Sequence, residues 1–376
     1  MLRALNALGA KVETHGSTFD VHGVGGPLPQ RSARLDLRLS GTSLRFLTAI
    51  LAAGEGEYVL DGNERMRERP VQDLIDALNS LGAQATSEGG RPPVTLRARG
   101  LEGGEVTVRG DVSSQFLSGL LMAAPLARSP VKATVAGDLL SKPFVDMTLD
   151  LMGHFGVEVV RDGYRRFEVA PATYRANDYR VEGDAMAAGY FWAAAAITGG
   201  RVSVSNLGSG TRQGDARLAA VLEDMGCGVE WRPGSVTLSG PEPGRLSGGE
   251  HDLNDMPDQA QTLAVVGLFA SEPMTITNVG NMRVKETDRL TAMARELSRL
   301  GAKVEEGPDW LKVWPLPNGL AHPVELETYG DHRMAMALAV AGTRLPGVVI
   351  KDPGCVVKTY PGFFDDLFGL LEAGLS

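Results

Sequence analysis

The apolar and polar positions of this chain fall into two recurring kinds of helical stretch. The first is amphipathic, with apolar residues every three or four positions, as in 71–81 and 217–225. Each such stretch closes on the same phrase. Leu8-Gly9-Ala10-Lys11-Val12 returns as Leu81-Gly82-Ala83-Gln84-Ala85, Phe155-Gly156-Val157-Glu158-Val159, Met225-Gly226-Cys227-Gly228-Val229 and Leu300-Gly301-Ala302-Lys303-Val304. The glycines stand 73, 74, 70 and 75 residues apart. Glycine there predicts the left-handed turn that stops a helix. Paired short strands follow, such as 11–14 with 19–22 and 229–231 with 236–238.

The second kind is apolar all round and rich in small residues, which predicts a buried helix. These stretches open at Gly41, Ser114, Asp184, Asp258 and His332, at spacings of 73, 70, 74 and 74. A short β-branched strand follows each, at 58–60, 131–135, 202–204, 274–277 and 348–350. Two landmarks keeping one period define a unit of buried helix, strand, amphipathic helix, strand, strand. The chain opens inside the first amphipathic helix, so six units are expected, the first lacking its leading half. Three units per domain give domains 1–181 and 182–376, with the polar segment 173–184 as the crossing between them.

At 376 residues the chain exceeds the roughly 250–300 at which a single core stops growing, which agrees with two domains. A net charge of −9 argues against a general nucleic-acid surface. Two cysteines, six histidines and no CxxC or HExxH spacing leave no disulfide framework, and neither metal nor cofactor is expected. No apolar run is long enough to span a bilayer and no signal peptide is legible, so a cytoplasmic protein is expected.

Candidate chemistry collects where helices begin. Asn281-Met282-Arg283-Val284-Lys285-Glu286-Thr287-Asp288-Arg289 precedes a helix expected through 290–300, with Thr287 or Asp288 as its cap. A helix N-terminus attracts anions, and Glu286 and Arg289, about one turn apart on that helix, can face one cavity. The mouths of the buried helices read Ser40-Gly41-Thr42-Ser43-Leu44-Arg45, Ser113-Ser114-Gln115, Glu182-Gly183-Asp184, Pro257-Asp258-Gln259 and Asp331-His332-Arg333. Further cations sit on loops: Arg65, Arg67, Arg69 and Lys358. Capping alone accounts for Ser40, Ser113 or Asp331 taken singly. It does not account for a cation beside nearly every cap. Arginine forks and small-residue helix starts together suit a substrate carrying phosphate and carboxylate.

In order, SGTSLR (40–45), ERMRERP (64–70), DVSSQF (111–116), SKPF (141–144), VEGDA (181–185), MPDQA (256–260), NMRVKETDRL (281–290), GDHRMAM (330–336) and CVVKTYPGFF (355–364) resemble the enolpyruvyl transferase family. Within it they resemble the 5-enolpyruvylshikimate-3-phosphate synthases, over essentially the whole chain. The resemblance implies an α/β fold of two domains, each built from βαβαββ units around buried helices, an inside-out α/β barrel. It places the active site in the inter-domain cleft and implies a monomer. Shikimate-3-phosphate would meet Ser113, Ser114, Gln115, Ser141, Asp258, Asn281 and Lys285. Phosphoenolpyruvate would meet Gly41, Arg65, Gln115, Arg289, Arg333 and Lys358. Asp258 and Glu286, with Lys285 beside them, would be the catalytic residues. Asp258 would act as base toward the attacking hydroxyl, and Glu286 as the acid that protonates C3 and later takes the proton back.

Three departures from the family pattern stand out. Its opening Gly-Ser-Lys-Ser segment is not matched. Phe144 replaces a frequent tyrosine, which removes one hydroxyl contact. Leu39 replaces a common asparagine and Phe46 follows Arg45, and both bear on the phosphoenolpyruvate pocket and on inhibitors such as glyphosate. Two other readings are carried forward: a substrate-binding fragment with little turnover, and the sister transferase acting on UDP-N-acetylglucosamine. The latter carries a cysteine in the loop equivalent to 64–70, where neither Cys227 nor Cys355 falls.

Overall fold

The computed structural model describes residues 1–317 and 319–374, which divide into two compact units, Met1–Tyr179 and the remainder from Arg180. The five stretches read as apolar all round are helices, and they form the cores. In the first unit Gly41–Ala52 packs against Ser114–Ala123. In the second, Ala185–Thr198, Ala260–Gly267 and His332–Gly342 pack against one another. The first of these buries all but two of its 14 residues, so no face is left for solvent. Their many alanines and glycines let the helix axes approach closely. One boundary differs from expectation: the helix placed at Asp258 begins with a 3-10 turn, Pro257–Gln259.

Sheets cover this helical core. In the first unit Ser32–Asp36 runs parallel to Glu55–Asp61, which pairs antiparallel with Arg91–Arg99, itself paired with Gln84–Glu88. The same order recurs as Gly104–Arg109, Val131–Ala136, Arg166–Val169 and Val160–Asp162. In the second unit it recurs as Gly249–Asp252, Met274–Thr277, Leu311–Val313 and Val304–Glu306. Side chains alternate in burial along the inner antiparallel strand: Val94, Leu96 and Ala98 point inward, alternating with exposed Thr95, Arg97 and Arg99. The leading parallel strand escapes the apolar pattern because sequences such as SARLD and GEHD lack an apolar run; parallel pairing makes it a strand.

Two sheets hold two strands each: Lys11–His15 with Thr18–His22, and Val324–Leu326 with Val348–Ile350. A third has three, Arg201–Ser205, Ser235–Ser239 and Gly228–Arg232. In the Thr18–His22 strand, Phe19 and Val21 are exposed, although the corresponding inward pairs elsewhere are buried. The expected helix stops are all present: Gly9, Gly82, Gly156, Gly226 and Gly301 have φ between 81° and 109°.

Because the buried helices are the core, truncation inside one is costly. Leu263→Ala, at a position with no exposure, is expected to lower unfolding free energy by about 2–5 kcal/mol in a denaturant titration. Val349→Ala, on an exposed strand position, is expected to change it by less than about 0.5 kcal/mol.

Candidate active site

The second unit gathers its helix mouths around one buried guanidinium. Arg289 opens the helix Arg289–Arg299, which Asp288 caps by accepting from the Thr291 N–H at 3.1 Å. Glu286 therefore lies in the turn ahead of this helix and not on it, a correction to the one-turn spacing expected from sequence. It still reaches Arg289, because the turn folds back: Arg289 Nη2 donates to Glu286 Oε2 at 2.9 Å. Arg289 is only 1% exposed and is held on three sides. Its Nε and Nη2 donate to the two oxygens of Asp331 at 2.7 and 3.2 Å, and its Nη1 donates to Asp258 Oδ1 at 2.9 Å.

Each carboxylate has a second duty. Asp331 caps the helix His332–Gly342, accepting from the Arg333 N–H at 2.9 Å. Asp258 also meets Arg333 Nη2 at 3.1 Å and Lys285 Nζ at 3.6 Å. Glu286 also accepts from Lys358 Nζ. Three acids and four cations thus alternate in one cluster, and the six residues expected here from sequence (Asp258, Lys285, Glu286, Arg289, Arg333, Lys358) all belong to it. Asn281, in the 3-10 turn Gly280–Val284, presents a buried Oδ1 with no hydrogen-bond partner among the described residues.

Sequence reasoning misses the carboxylates that support this cluster. Asp331 reads there only as a cap. Glu296 does not stand out at all, yet it is fully buried. It accepts from the Tyr329 hydroxyl at 2.6 Å and the Glu327 N–H at 3.0 Å, fixing the turn that delivers Asp331 to Arg289. A glutamate on the apolar face of an amphipathic helix is the available signal. Gln259, also fully buried, spans from the 3-10 turn to the Ala185 carbonyl at 3.3 Å, tying two helix mouths together.

The first unit presents a second mouth. Ser40 and Ser113 cap Gly41–Ala52 and Ser114–Ala123, each accepting a backbone N–H at 3.3 Å. Gln115 joins the two, accepting from Arg45 Nη1 at 2.7 Å and donating to Thr42 Oγ1 at 3.1 Å. Arg45 and Arg69 are both buried and lie over Gly41, where an added Cβ would come within 2.8–2.9 Å of their nitrogens. A side chain at this position would push those guanidiniums aside. Ser114 is buried, and buried Ser141 sits in the left-handed region (φ 55°) just ahead of the helix Lys142–His154. A left-handed serine is strained backbone, a condition that concentrates at functional sites. Arg65 pairs with Glu68.

The sequence matches the family model described as EPSP synthase (3-phosphoshikimate 1-carboxyvinyltransferase) over residues 1–367. The chain belongs to the EPSP synthase family. It is 46% identical to the 3-phosphoshikimate 1-carboxyvinyltransferase of a Marinomonas species, covering 97% of this chain and 86% of that protein. To the enzyme of the same name from Thiobacillus denitrificans it is 47% identical, again over 97% of this chain and 86% of its relative. The structure resembles that of EPSP synthase from Acinetobacter baumannii with a TM-score of 0.77, at 25% identity, over 97% of this chain and 85% of that one. The two units of βαβαββ repeats are therefore an EPSP synthase fold.

Electrostatics in this candidate site follow from burial and its compensation. Burial pushes the Asp258 carboxyl up, but Arg333, Lys285 and Arg289 together outweigh it and hold Asp258 far below the usual carboxylate range. Burial lowers the Lys358 ammonium against the opposing pull of Glu286. His332 is pushed down to about 3, by burial first and then by Arg333 and Lys358, so it is neutral at physiological pH. Among the described residues no group of three or more histidine, cysteine, aspartate or glutamate side chains is placed to hold a metal ion, and no helix is long and apolar enough to cross a membrane.

Asp215 behaves differently. Burial, then the charge of Asp258, pushes it up to about 7. The native state keeps a proton that the unfolded chain releases near pH 4, so stability falls as pH rises from about 4 to about 7. Asp215→Asn removes that dependence. It is expected to raise unfolding free energy at pH 8 by up to about 4 kcal/mol, with the gain vanishing near pH 4, read from urea titrations at both values.

Proposed function

We infer that the chain transfers the enolpyruvyl group of phosphoenolpyruvate to the 5-hydroxyl of shikimate-3-phosphate, releasing phosphate. The family match across residues 1–367 carries this reading. The alternating charge cluster supports the residue roles. Asp258 takes the proton of the attacking hydroxyl as its oxygen bonds to C2 of phosphoenolpyruvate. Glu286 delivers a proton to C3, giving a tetrahedral adduct. It then recovers a proton from C3 as the C2–O bond to phosphate breaks and the double bond returns. Lys285, 3.6 Å from Asp258 and next to Glu286 in the chain, stabilises the charge that develops on the reacting groups.

Arg289, Arg333 and Lys358 receive the anionic groups of phosphoenolpyruvate, with Gly41, Arg65 and Gln115 of the first unit serving the same substrate. In the structure these cations are engaged by Asp258, Glu286, Asp331 and Glu68. Binding is thus an exchange of partners. Once Arg333 turns to the substrate, Asp258 loses part of the field that depresses its basicity and becomes a stronger base. Ser113, Ser114, Gln115, Ser141 and Asn281 hold shikimate-3-phosphate through neutral hydrogen bonds. The unpartnered Asn281 oxygen suits a ring hydroxyl, and the Ser113 and Ser114 amides at a helix start suit the phosphate. A cytoplasmic monomer fits a reaction between two diffusible, charged metabolites.

The test is phosphate release from phosphoenolpyruvate in the presence of shikimate-3-phosphate, with UDP-N-acetylglucosamine as the competing acceptor. Release should require shikimate-3-phosphate and fall by about 10²–10⁴-fold in Glu286→Gln. Unchanged release in both Glu286→Gln and Asp258→Asn would overturn the assignment. Binding of shikimate-3-phosphate without release in the unmodified chain would favour the substrate-binding fragment. Arg333→Ala should act mainly on the KM for phosphoenolpyruvate.

A further inference from the structure

Of the three arginines in the loop before Pro70, only Arg65 has a part in the reading above. Arg67 is engaged by Asp61, the last residue of the strand Glu55–Asp61. Its Nε donates to Asp61 Oδ1 at 2.9 Å and its Nη2 to Oδ2 at 2.7 Å, a two-pronged pairing. Asp61 is 6% exposed, and its Oδ1 also accepts from the Gly62 N–H at 2.8 Å. Exposed ion pairs are worth little, but a bidentate pair on a buried carboxylate holds its geometry. The loop between the two is itself braced. Asn63 Oδ1 accepts from the Met66 N–H at 3.0 Å, and the Asn63 carbonyl accepts from the Arg67 N–H at 3.1 Å. The Asn63 N–H donates to the Arg38 carbonyl at 3.1 Å, and Met66 is fully buried. At Gly62 an added Cβ would collide with that same carbonyl and with Met66.

Arg65 lies inside the ring that this pairing closes, as the residue leading into the 3-10 turn Met66–Glu68. Beyond the turn the chain is fixed again. Arg45 Nη2 donates to the Pro70 carbonyl at 3.3 Å, and buried Arg69 lies over Gly41. We propose that Asp61 is a positioning residue, which through its pairing with Arg67 holds the loop so that Arg65 meets phosphoenolpyruvate without a further ordering step. This rests on the functional reading above, which assigns Arg65 to that substrate, and it adds two residues that touch no reacting atom. A loop already ordered spares the substrate the cost of immobilising it, so the clamp acts on affinity. No bond is made or broken and no proton moves. Arg67 holds the Asp61 carboxyl below its usual range, so the pair stays charged at neutral pH.

The experiment measures kcat and both KM values by phosphate release in the unmodified chain, Asp61→Asn, Arg67→Gln and the double variant. Each single variant should raise the KM for phosphoenolpyruvate by about tenfold, with kcat and the KM for shikimate-3-phosphate changed by less than about twofold. The double variant should be no worse than either single one, since both break one pairing. Added to Arg65→Ala, which raises the same KM by itself, Arg67→Gln should cost nothing further. An unchanged KM for phosphoenolpyruvate in the single variants, or penalties that add in either combination, would overturn the proposal. An equal loss across kcat and both KM values would overturn it too, since that is what a merely structural role produces.

Should Asp61→Asn fail to fold, Arg67→Gln decides alone, because the Arg67 side chain is half exposed and its loss leaves the Gly62 bond to Asp61 in place. The clamp also has a readout apart from activity. Amide hydrogen exchange over 62–69 should speed up in Arg67→Gln and stay unchanged over the helix Gly41–Ala52. Unchanged exchange in the loop would overturn the inference. If loop exchange speeds up while even the unmodified chain releases no phosphate, the functional reading fails and the clamp stands. If phosphate is released and neither loop exchange nor the KM for phosphoenolpyruvate moves, the functional reading stands and the clamp fails.

Discussion

A guanidinium cannot be removed from water without carboxylates to receive it, and Arg289 is almost completely removed from water. An unpaired charge there would cost several kcal/mol, and removing one partner of such a pair typically costs about 3–5 kcal/mol. Three acids from three different segments meet that demand: Asp258 from a turn, Glu286 from the residues before the helix, and Asp331 from the cap of another helix. Satisfying one side chain therefore fixes three chain segments relative to each other. The remaining cations (Lys285, Arg333, Lys358) are then placed by the acids that Arg289 has already located. The charge cluster is as much a structural joint of the second unit as it is a candidate site.

The repeat explains why such a joint can form. Each unit threads a helix of small apolar residues through the interior and begins it with a polar cap at one end. Stacking units in one domain brings those caps together, as Gln259 shows by bridging to the Ala185 carbonyl and Gln115 by bridging to Thr42. The burial that stabilises the domain and the convergence that concentrates charge are two results of one arrangement. In the first unit the same logic gives a mouth of serines and glutamine without acids, with the buried guanidiniums of Arg45 and Arg69 crowded over Gly41.

Much of this is legible in sequence because the interior is helical and apolar with a fixed period. The glycine stops, the five buried helices and the strands that follow them are strong local signals. The six clustered residues are legible because cations beside caps are unusual. What is not legible depends on pairing across the fold. The leading strand, in the four sheets that have one, is made by its parallel neighbour. Glu286 lies two residues ahead of the Asp288 cap and reaches Arg289 only because the chain folds back before the helix. Glu296 and Asp215 read as ordinary acids until the structure shows what surrounds them. A one-letter carboxylate does not state whether it will be exposed, bonded to a backbone N–H, or left without a partner.

The acids bonded to Arg289, Arg333 and Lys358 also act as tethered counterions. Being part of the chain, each is present at a high effective concentration next to its cation. A chloride or acetate ion from solution brings one charge and loses its translational freedom, so it competes poorly against such a tether. A ligand with two or more anionic groups replaces several tethers in one event and loses that freedom once. The occupied state of the resting cluster is therefore a filter on valence, set by the protein before any question of shape arises.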